Sequence, residues 1–169
     1  TDAAGHKTQY AYKAGQLSLI THPDTTQERF ERDAEGRLLA HLDALDRCTT
    51  WRYNEAGLIA QRVDAAEQAV TYRWDKLGQL VALENENGRL AHFHYDVVGR
   101  VQQQRGVDGR VTYYAYDPYS GRLDSKTVGD RVLRMDFDPM GRLCERTASL
   151  KGLSQRETYA YDGNGKLVM

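Results

Sequence analysis

The sequence predicts an all-β protein made of tandem β-hairpin repeats of 21 residues that form a twisted, curled antiparallel sheet. Two observations support this fold class: a nine-residue signature recurs at nearly constant spacing, and its aromatic residues alternate at positions i and i+2, which is the period of a strand. The composition agrees, because 40% of the 169 residues are hydrophobic and the chain holds 15 Gly and 11 Tyr. A sheet that is apolar on one face keeps every second position polar.

The repeated signature is aromatic-x-aromatic-Asp-x-x-Gly-Arg-Leu. A clear copy begins at Phe93 and reads Phe-His-Tyr-Asp-Val-Val-Gly-Arg-Val. Its glycine recurs eight times along the chain, at Gly15, Gly36, Gly57, Gly78, Gly99, Gly121, Gly141 and Gly165. We therefore expect residues 1–169 to be a single array of about eight hairpin repeats. A weaker turn motif, such as Asp43-Ala44-Leu45-Asp46-Arg47, lies halfway through each repeat.

Each signature predicts a tight turn between two strands. Asp at the first turn position accepts hydrogen bonds from the turn backbone, and Gly at the fourth position adopts positive φ without steric cost, so we expect a three-residue loop with a G1 bulge. Pro118 and Pro139 directly follow an Asp, where the fixed φ of proline suits the turn. The residues that carry this structural motif are Tyr53, Gly57, Trp74, Asp75, Gly78, Leu80, Tyr95, Asp96, Gly99, Arg100, Tyr116, Asp117, Gly121, Arg122, Phe137, Asp138, Gly141, Arg142, Tyr161, Asp162 and Gly165.

The turn geometry also sets the register of each hairpin. The second aromatic of each signature should face the residue two after the glycine, which gives the cross-strand pairs Tyr53–Ile59, Trp74–Leu80, Tyr95–Val101 and Phe137–Leu143. On the opposite face we expect pairs of opposite charge, namely Asp33–Arg37, Asp96–Arg100, Asp138–Arg142 and Asp162–Lys166. Such pairs would fix the register and keep that face hydrated.

The aromatic residues are expected to form two columns along one sheet face. At roughly 150 Å² for each side chain, fourteen column members amount to on the order of 2,000 Å² of aromatic surface. A monomer seldom exposes an apolar patch above roughly 300–600 Å². We therefore expect the face to be covered by curling of the sheet, by further repeats, by enclosed cargo or by a second copy.

Several kinds of chemistry find no support in the sequence. The net charge of −1 gives no long-range attraction to nucleic acid, and no apolar stretch is long enough to span a bilayer. His92 and His94 are spaced to share one strand face, but no third metal ligand accompanies them, so we interpret them as surface residues. Cys48 and Cys144 are expected to be unpaired thiols. We expect no catalytic residues, no metal, no cofactor and no enzymatic activity.

The signature resembles the Rhs, or YD-repeat, family of bacterial polymorphic toxins, whose unit reads Tyr-x-Tyr-Asp-x-x-Gly-Arg-Leu. The likeness runs from about Tyr10 to Leu167, and similar repeats occur in insecticidal toxin complexes and in teneurins. In that family the repeats imply a long β-sheet that spirals into a hollow shell. The shell encloses a variable C-terminal toxin like a cocoon, and it is often delivered by type VI secretion.

The resemblance implies that this chain is a segment of such a shell, without the toxin domain itself. Its expected partners are the remaining repeats of a longer shell, an enclosed toxin polypeptide, and other copies of the chain through self-association. The implied location is the bacterial cytoplasm before delivery and the exterior afterwards. The nearest match to the family's self-cleavage motif is Asp138-Pro139-Met140-Gly141, but Arg142 follows where the motif has an apolar residue, so we interpret it as a turn. An alternative function is a cell-surface adhesion or carbohydrate-binding module in which the aromatic columns receive sugar rings.

Overall fold

The computed structural model describes Gly5 and residues 7–168, and these form fifteen β-strands and no helix. The prediction of an all-β chain is therefore confirmed. No helix in this described part could cross a membrane. The strands contain 5 to 8 residues and are β1 (Gln9–Lys13), β2 (Gln16–Thr21), β3 (Gln27–Arg32), β4 (Leu38–Leu42), β5 (Cys48–Tyr53), β6 (Ile59–Val63), β7 (Ala69–Trp74), β8 (Leu80–Glu84), β9 (Leu90–Tyr95), β10 (Val101–Arg105), β11 (Val111–Tyr116), β12 (Leu123–Val128), β13 (Arg131–Phe137), β14 (Leu143–Leu150) and β15 (Leu153–Thr158).

The strand order follows the sequence, from β1 to β8 and from β9 to β15. The chain divides into two compact units, one ending at Gly88 and the other beginning at Arg89. The first unit holds β1 to β8 and the second holds β9 to β15. Within each unit every strand pairs antiparallel with its neighbours in sequence, which confirms the predicted run of hairpins in an antiparallel sheet.

The predicted turn is present in the repeats. At Asp96, the N–H of Gly99 donates to the Asp96 carbonyl over 3.0 Å, and the Asp96 N–H donates to the Arg100 carbonyl over 2.8 Å. Gly99 has a φ of +84°, so the loop is a type I turn closed by a G1 bulge. The same two bonds close the turns that begin at Asp33, Asn54, Asp75, Asp138 and Asp162.

The predicted register is also confirmed. Each second aromatic pairs with the residue two after the turn glycine, as in Tyr53–Ile59, Trp74–Leu80, Tyr95–Val101 and Phe137–Leu143. The structure adds a second bulge to each of these hairpins. Arg52 pairs with Gln61 while Tyr53 pairs with Ile59, which leaves Ala60 without an opposite residue. A bulge of this kind bends the strand and increases its twist.

The described residues enclose no conventional hydrophobic core. Their buried apolar residues are three alanines, Ala40, Ala82 and Ala91, and none of their larger side chains is fully buried. Most of the column aromatics are half-buried. Each unit is therefore stabilised by contacts between neighbouring strands. The side-chain interactions that hold the repeats together lie where one repeat meets the next.

Candidate functional site

The second aromatic of each repeat reaches back to the hairpin before it. The Tyr53 hydroxyl donates a hydrogen bond to the Leu38 carbonyl, 15 residues earlier, over 2.9 Å. The indole Nε1 of Trp74 makes the equivalent bond to the Ile59 carbonyl over 2.7 Å. The same interaction recurs from Tyr116 to Val101 and from Tyr161 to Leu143.

The arginine of the preceding turn lies over the same aromatic ring. The guanidinium carbon of Arg37 is 4.9 Å from the Tyr53 ring centroid, and that of Arg100 is 4.4 Å from the Tyr116 centroid. These distances fall within the range of cation–π attraction, which extends to about 6 Å. Further pairs of this kind are Arg122–Phe137 and Arg142–Tyr161.

An aspartate fixes the position of three of these arginines, Arg37, Arg100 and Arg142. One Asp96 carboxylate oxygen accepts the backbone N–H of Arg100 over 2.9 Å, and the other accepts Arg100 Nε over 2.7 Å. The pairs Asp33–Arg37 and Asp138–Arg142 have the same arrangement. We call this set of four groups a repeat junction. It consists of the Asp, its Arg, the second aromatic side chain of the next repeat, and the backbone carbonyl that accepts a hydrogen bond from the hydroxyl or indole N–H of that side chain.

The junction corrects one prediction. The charged pairs were expected on the face opposite the aromatic columns, and this placement is wrong because the arginine lies against the aromatic ring. The aspartate carboxylate accepts a hydrogen bond from Nε at the edge of the guanidinium. The flat face of the guanidinium, which is weakly hydrated, can therefore stack on the neighbouring ring. For Asp162–Lys166 the structure shows the bond from the Lys166 backbone N–H to the Asp162 carboxylate over 2.8 Å.

The turn glycine makes room for the junction. A Cβ on Gly57 would lie 3.3 Å from an Arg37 guanidinium nitrogen, and one on Gly141 would overlap the guanidinium of Arg122. These glycines also have φ values of +78° and +84°, which side chains disfavour. The residue is therefore required for both its backbone conformation and its lack of a side chain.

The junction also accounts for the electrostatics of the turns. The Arg100 backbone N–H lowers the pKa of Asp96, and the Arg100 guanidinium lowers it further against the opposing effect of burial. The pKa of Asp138 is lowered by Arg142 in the same way. Burial raises the pKa of the Tyr116 hydroxyl, whose ring lies beneath Arg100.

We expect the array to lose stability in acid. A carboxyl group whose pKa is lowered by folding stabilises the protein above its unfolded pKa of about 4, and this stabilisation is lost as the pH falls through the lower, folded value. The midpoint of urea unfolding should therefore decrease between pH 5 and pH 2. Asp96→Asn should flatten this dependence, because it removes the ionised carboxylate that stabilises the fold at pH 7 and should approach the stability of the wild type near pH 2. Its amide oxygen can still accept the Arg100 backbone N–H, as that of Asn54 accepts the Leu58 N–H. Identical pH profiles for the two proteins would contradict the assignment.

Several repeats have incomplete junctions. Leu58 stands in the arginine position before Trp74, so this junction keeps its hydrogen bond without a guanidinium. Phe137 lacks a hydroxyl but retains the stacked Arg122. The turn at Asp117 has one extra residue, and its carboxylate accepts the backbone N–H of Ser120 in place of an arginine.

The predicted motif residues thus all lie at hairpin turns or at the strand ends beside them. The aromatics Tyr53, Trp74, Tyr95, Tyr116 and Phe137 end β5, β7, β9, β11 and β13, and Tyr161 forms a bridge with Leu167. The acidic, glycine and basic members belong to the turns and junctions, namely Asp75, Asp96, Asp117, Asp138, Asp162, Gly57, Gly78, Gly99, Gly121, Gly141, Gly165, Arg100, Arg122 and Arg142. Leu80 begins β8 opposite Trp74.

Sequence reasoning missed a second polar cluster in the first unit. Glu28 on β3 accepts hydrogen bonds from His22 Nε2 over 2.8 Å and from His41 Nε2 over 2.9 Å. Hydrogen bonds from His41 and His22 lower the pKa of Glu28. The His41 ring stacks on Phe30 with a centroid distance of 4.6 Å. This cluster connects β3 to both of its neighbours in the sheet.

The histidines and cysteines that the sequence singles out form neither a metal cluster nor a disulfide among the described residues. His92 and His94 line a shallow recess with Gln103 and Arg105. Within the residues that the structure describes, no three His, Cys, Asp or Glu side chains are grouped to hold a metal ion. Cys48 and Cys144 are both free thiols, as predicted.

A run of antiparallel hairpins joined by recurrent junctions defines a β-hairpin repeat protein. The RHS Repeat family model matches residues 32–69, 53–90 and 74–111. The family model therefore finds RHS repeats over residues 32–111, as the sequence signature predicts. A search of curated proteins finds no match.

Solved structures share this fold. The crystal structure of TcdB2-TccC3 matches 96% of this chain at 16% identity with a TM-score of 0.75, and the form without the hypervariable C-terminal region matches 96% at 15% identity with a TM-score of 0.73. The Photorhabdus luminescens Tc holotoxin pore matches 95% of the chain at 15% identity with a TM-score of 0.64. The chain covers 10%, 12% and 11% of those three chains, so it spans about a tenth of their length.

Proposed function

We propose that this chain is a structural segment of the wall of an Rhs-type shell that encloses or presents a toxin polypeptide. The observation that carries the proposal is the repeat junction. It uses the most distinctive residues of the sequence, the Asp, Gly, Arg and second aromatic, to join each hairpin to the one before it. A sequence selected for a local binding pocket would concentrate such residues at one place, whereas here they recur with the repeat.

The matched RHS repeats and the fold support this proposal. The RHS-repeat resemblance implies a shell around a C-terminal toxin, and the fold is shared with chains of TcdB2-TccC3 and of a Tc holotoxin pore. Because the chain spans about a tenth of those proteins, we assign it the role of a wall segment and not the activity of the whole. Delivery by type VI secretion is the route that the resemblance favours. We assign no catalytic step to this segment.

The geometry argues against a carbohydrate-binding role for the second aromatic column. A sugar ring stacks on the open face of an aromatic side chain. In the junctions of Tyr53, Tyr116 and Tyr161 one ring face is covered by a guanidinium, and each hydroxyl is engaged by a carbonyl. These side chains therefore act in packing between repeats.

The proposal can be tested on the longest reading frame that contains this segment. We expect the polypeptide that follows the repeats to resist limited proteolysis when the junctions are intact. Replacing both Arg100 and Arg142 with Ala should make that polypeptide sensitive to protease, because two junctions of the second unit lose their guanidinium. Arg110→Ala is a matched control, since this exposed arginine belongs to a mid-repeat turn outside the junctions.

Two outcomes would contradict the proposal. One is a reading frame in which no further polypeptide accompanies the repeats. The other is equal protease sensitivity in the wild type and the double variant. A separate titration addresses the carbohydrate alternative: oligosaccharides should leave the fluorescence of Trp51 and Trp74 unchanged, and a saturable change would favour the binding module.

A further inference from the structure

Four polar side chains from two paired strands share one recess on the second unit. His92 and His94 lie on β9, and Gln103 and Arg105 lie on β10. The register places His92 opposite Arg105 and His94 opposite Gln103. Directly opposite side chains have Cβ atoms about 5 Å apart, so one small group can contact all four. Leu90 completes the lining of the recess, whose volume is about 440 Å³.

The lining of the recess combines positive charge with hydrogen-bond donors. Each of the four polar side chains has an N–H group to donate, and none of them is a carboxylate. Arg105 and His94 are exposed, and the Arg105 guanidinium is always charged. The ion pairs that the described residues of this unit form involve other side chains. The recess therefore has the polarity that an oxyanion requires.

The preceding repeat neutralises the equivalent positions. Arg73 and Glu84 lie one repeat before His94 and Arg105, and Arg73 Nη2 is 3.7 Å from Glu84 Oε2. The two hairpins have the same cross-strand register. In the later repeat a histidine replaces the arginine and an arginine replaces the glutamate, so the ion pair gives way to a set of donors. Because both repeats form the same hairpin, the fold itself does not require this cationic set.

The charge of the second unit also favours an anion. Residues 89–169 hold thirteen Lys and Arg and ten Asp and Glu, so the formal charge of this unit is positive although the whole chain carries −1. A guanidinium binds phosphate through two parallel N–H bonds. A phosphate monoester has three acceptor oxygens and close to two negative charges at neutral pH. One guanidinium and two imidazoles match these oxygens better than they match the two of a carboxylate.

We propose that this recess binds the phosphate group of a phosphate monoester. Arg105 holds two of its oxygens, and His92 and His94 donate N–H bonds to the oxygens that remain. Leu90, with an exposed fraction of 37%, contacts the organic group that carries the phosphate. The volume lies in the range of ligand pockets, roughly 300–1,000 Å³, which leaves room for that group. The inference concerns ligand binding and does not depend on the proposed wall function.

Proton NMR of the histidine rings, at constant pH, tests the proposal at the site itself. Phenyl phosphate should shift the resonances of His92 and His94 saturably, while those of His41, which is bonded to Glu28, stay unchanged. Inorganic phosphate should shift the same two rings with lower affinity, because it has no organic group to contact Leu90. Sodium chloride at equal ionic strength should leave them in place.

Substitutions separate this site from a general attraction to positive charge. Arg105→Gln should weaken the binding of phenyl phosphate about tenfold, because it removes the charge-assisted bonds. Arg134→Gln is the matched control, since Arg134 is an exposed arginine on β13 outside the recess, and it should bind as the wild type does. The double variant His94→Arg/Arg105→Glu reproduces the charges of Arg73 and Glu84 and should abolish binding with the fold intact.

Vesicles of phosphatidylcholine and phosphatidic acid identify the source of the phosphate. Co-sedimentation that is lost in Arg105→Gln would assign it to a lipid headgroup, and binding of phenyl phosphate without co-sedimentation would assign it to a soluble ligand. The inference is wrong if phenyl phosphate at millimolar concentration shifts neither His92 nor His94, or if sodium chloride produces the same shifts. Equal affinity of Arg105→Gln and Arg134→Gln for phenyl phosphate would also overturn it.

Discussion

Replacing Trp74 with Ala is expected to reduce the free energy of unfolding of the first unit by about 3 kcal/mol. The side chain is half-buried, so its loss removes on the order of 100 Å² of apolar contact, which contributes about 2 kcal/mol. The hydrogen bond from its Nε1 to the Ile59 carbonyl contributes about 1 kcal/mol more. Urea unfolding can be followed by the fluorescence of Trp51, which remains in the same unit as the probe.

Two further variants separate the contributions at this position. Trp74→Phe keeps an aromatic ring opposite Leu80 and loses the N–H donor, so it should reduce stability by about 1 kcal/mol. Leu77→Ala is the control, because Leu77 lies at the turn of the same hairpin with an exposed fraction of 83% and should change little. Equal stability of Trp74→Phe and the wild type would show that the hydrogen bond between repeats contributes nothing.

Replacing Gly141 with Ala is expected to destabilise the second unit by about 2 kcal/mol. A non-glycine residue at the observed φ of +84° costs roughly 1–2 kcal/mol. The new methyl group would also displace the Arg122 guanidinium, which ends its stacking on Phe137, a loss of roughly 0.5–1 kcal/mol. The measurement is urea unfolding monitored by far-ultraviolet circular dichroism.

Gly109 provides a matched comparison in the same unit. Its φ is +80°, but a Cβ there would meet nothing within 4 Å, so Gly109→Ala should show the backbone cost alone. In an Arg122→Ala background the two glycine substitutions should become equally costly, because the displaced group is gone. A persistent difference between them in that background would mean that the extra cost at Gly141 does not come from Arg122.

The hairpins could be predicted from the sequence because their determinants are local. Asp and Gly three positions apart define a type I turn with a G1 bulge, and this turn fixes which residues face each other. Tyr53 therefore had to pair with Ile59 once the turn was recognised. The same argument gave the register of every other complete signature.

The repeat junctions could not be predicted because they depend on contacts between hairpins. Tyr53 finds the Leu38 carbonyl 15 residues earlier, and the direction of its hydroxyl is set by the relative position of neighbouring strands. The second bulge was equally hidden, because the extra residue has no preferred type: it is Ala60 in one hairpin and Gln102 in another. A signal did exist in the spacing between the Arg and the second aromatic of the next repeat, which is 16 residues for both Arg37–Tyr53 and Arg100–Tyr116.

The absence of a shared core among the described residues has a mechanical consequence. Each hairpin is held by its immediate neighbours, so a pulling force applied along the strand order would load one junction at a time. The weakest junction would open first. In the first unit we expect this to be the junction at Leu58, because it lacks a guanidinium. Hairpins further along the same unit would keep their hydrogen bonds until the opening reached them. The protein would therefore lengthen in steps, each of which corresponds to the opening of one repeat.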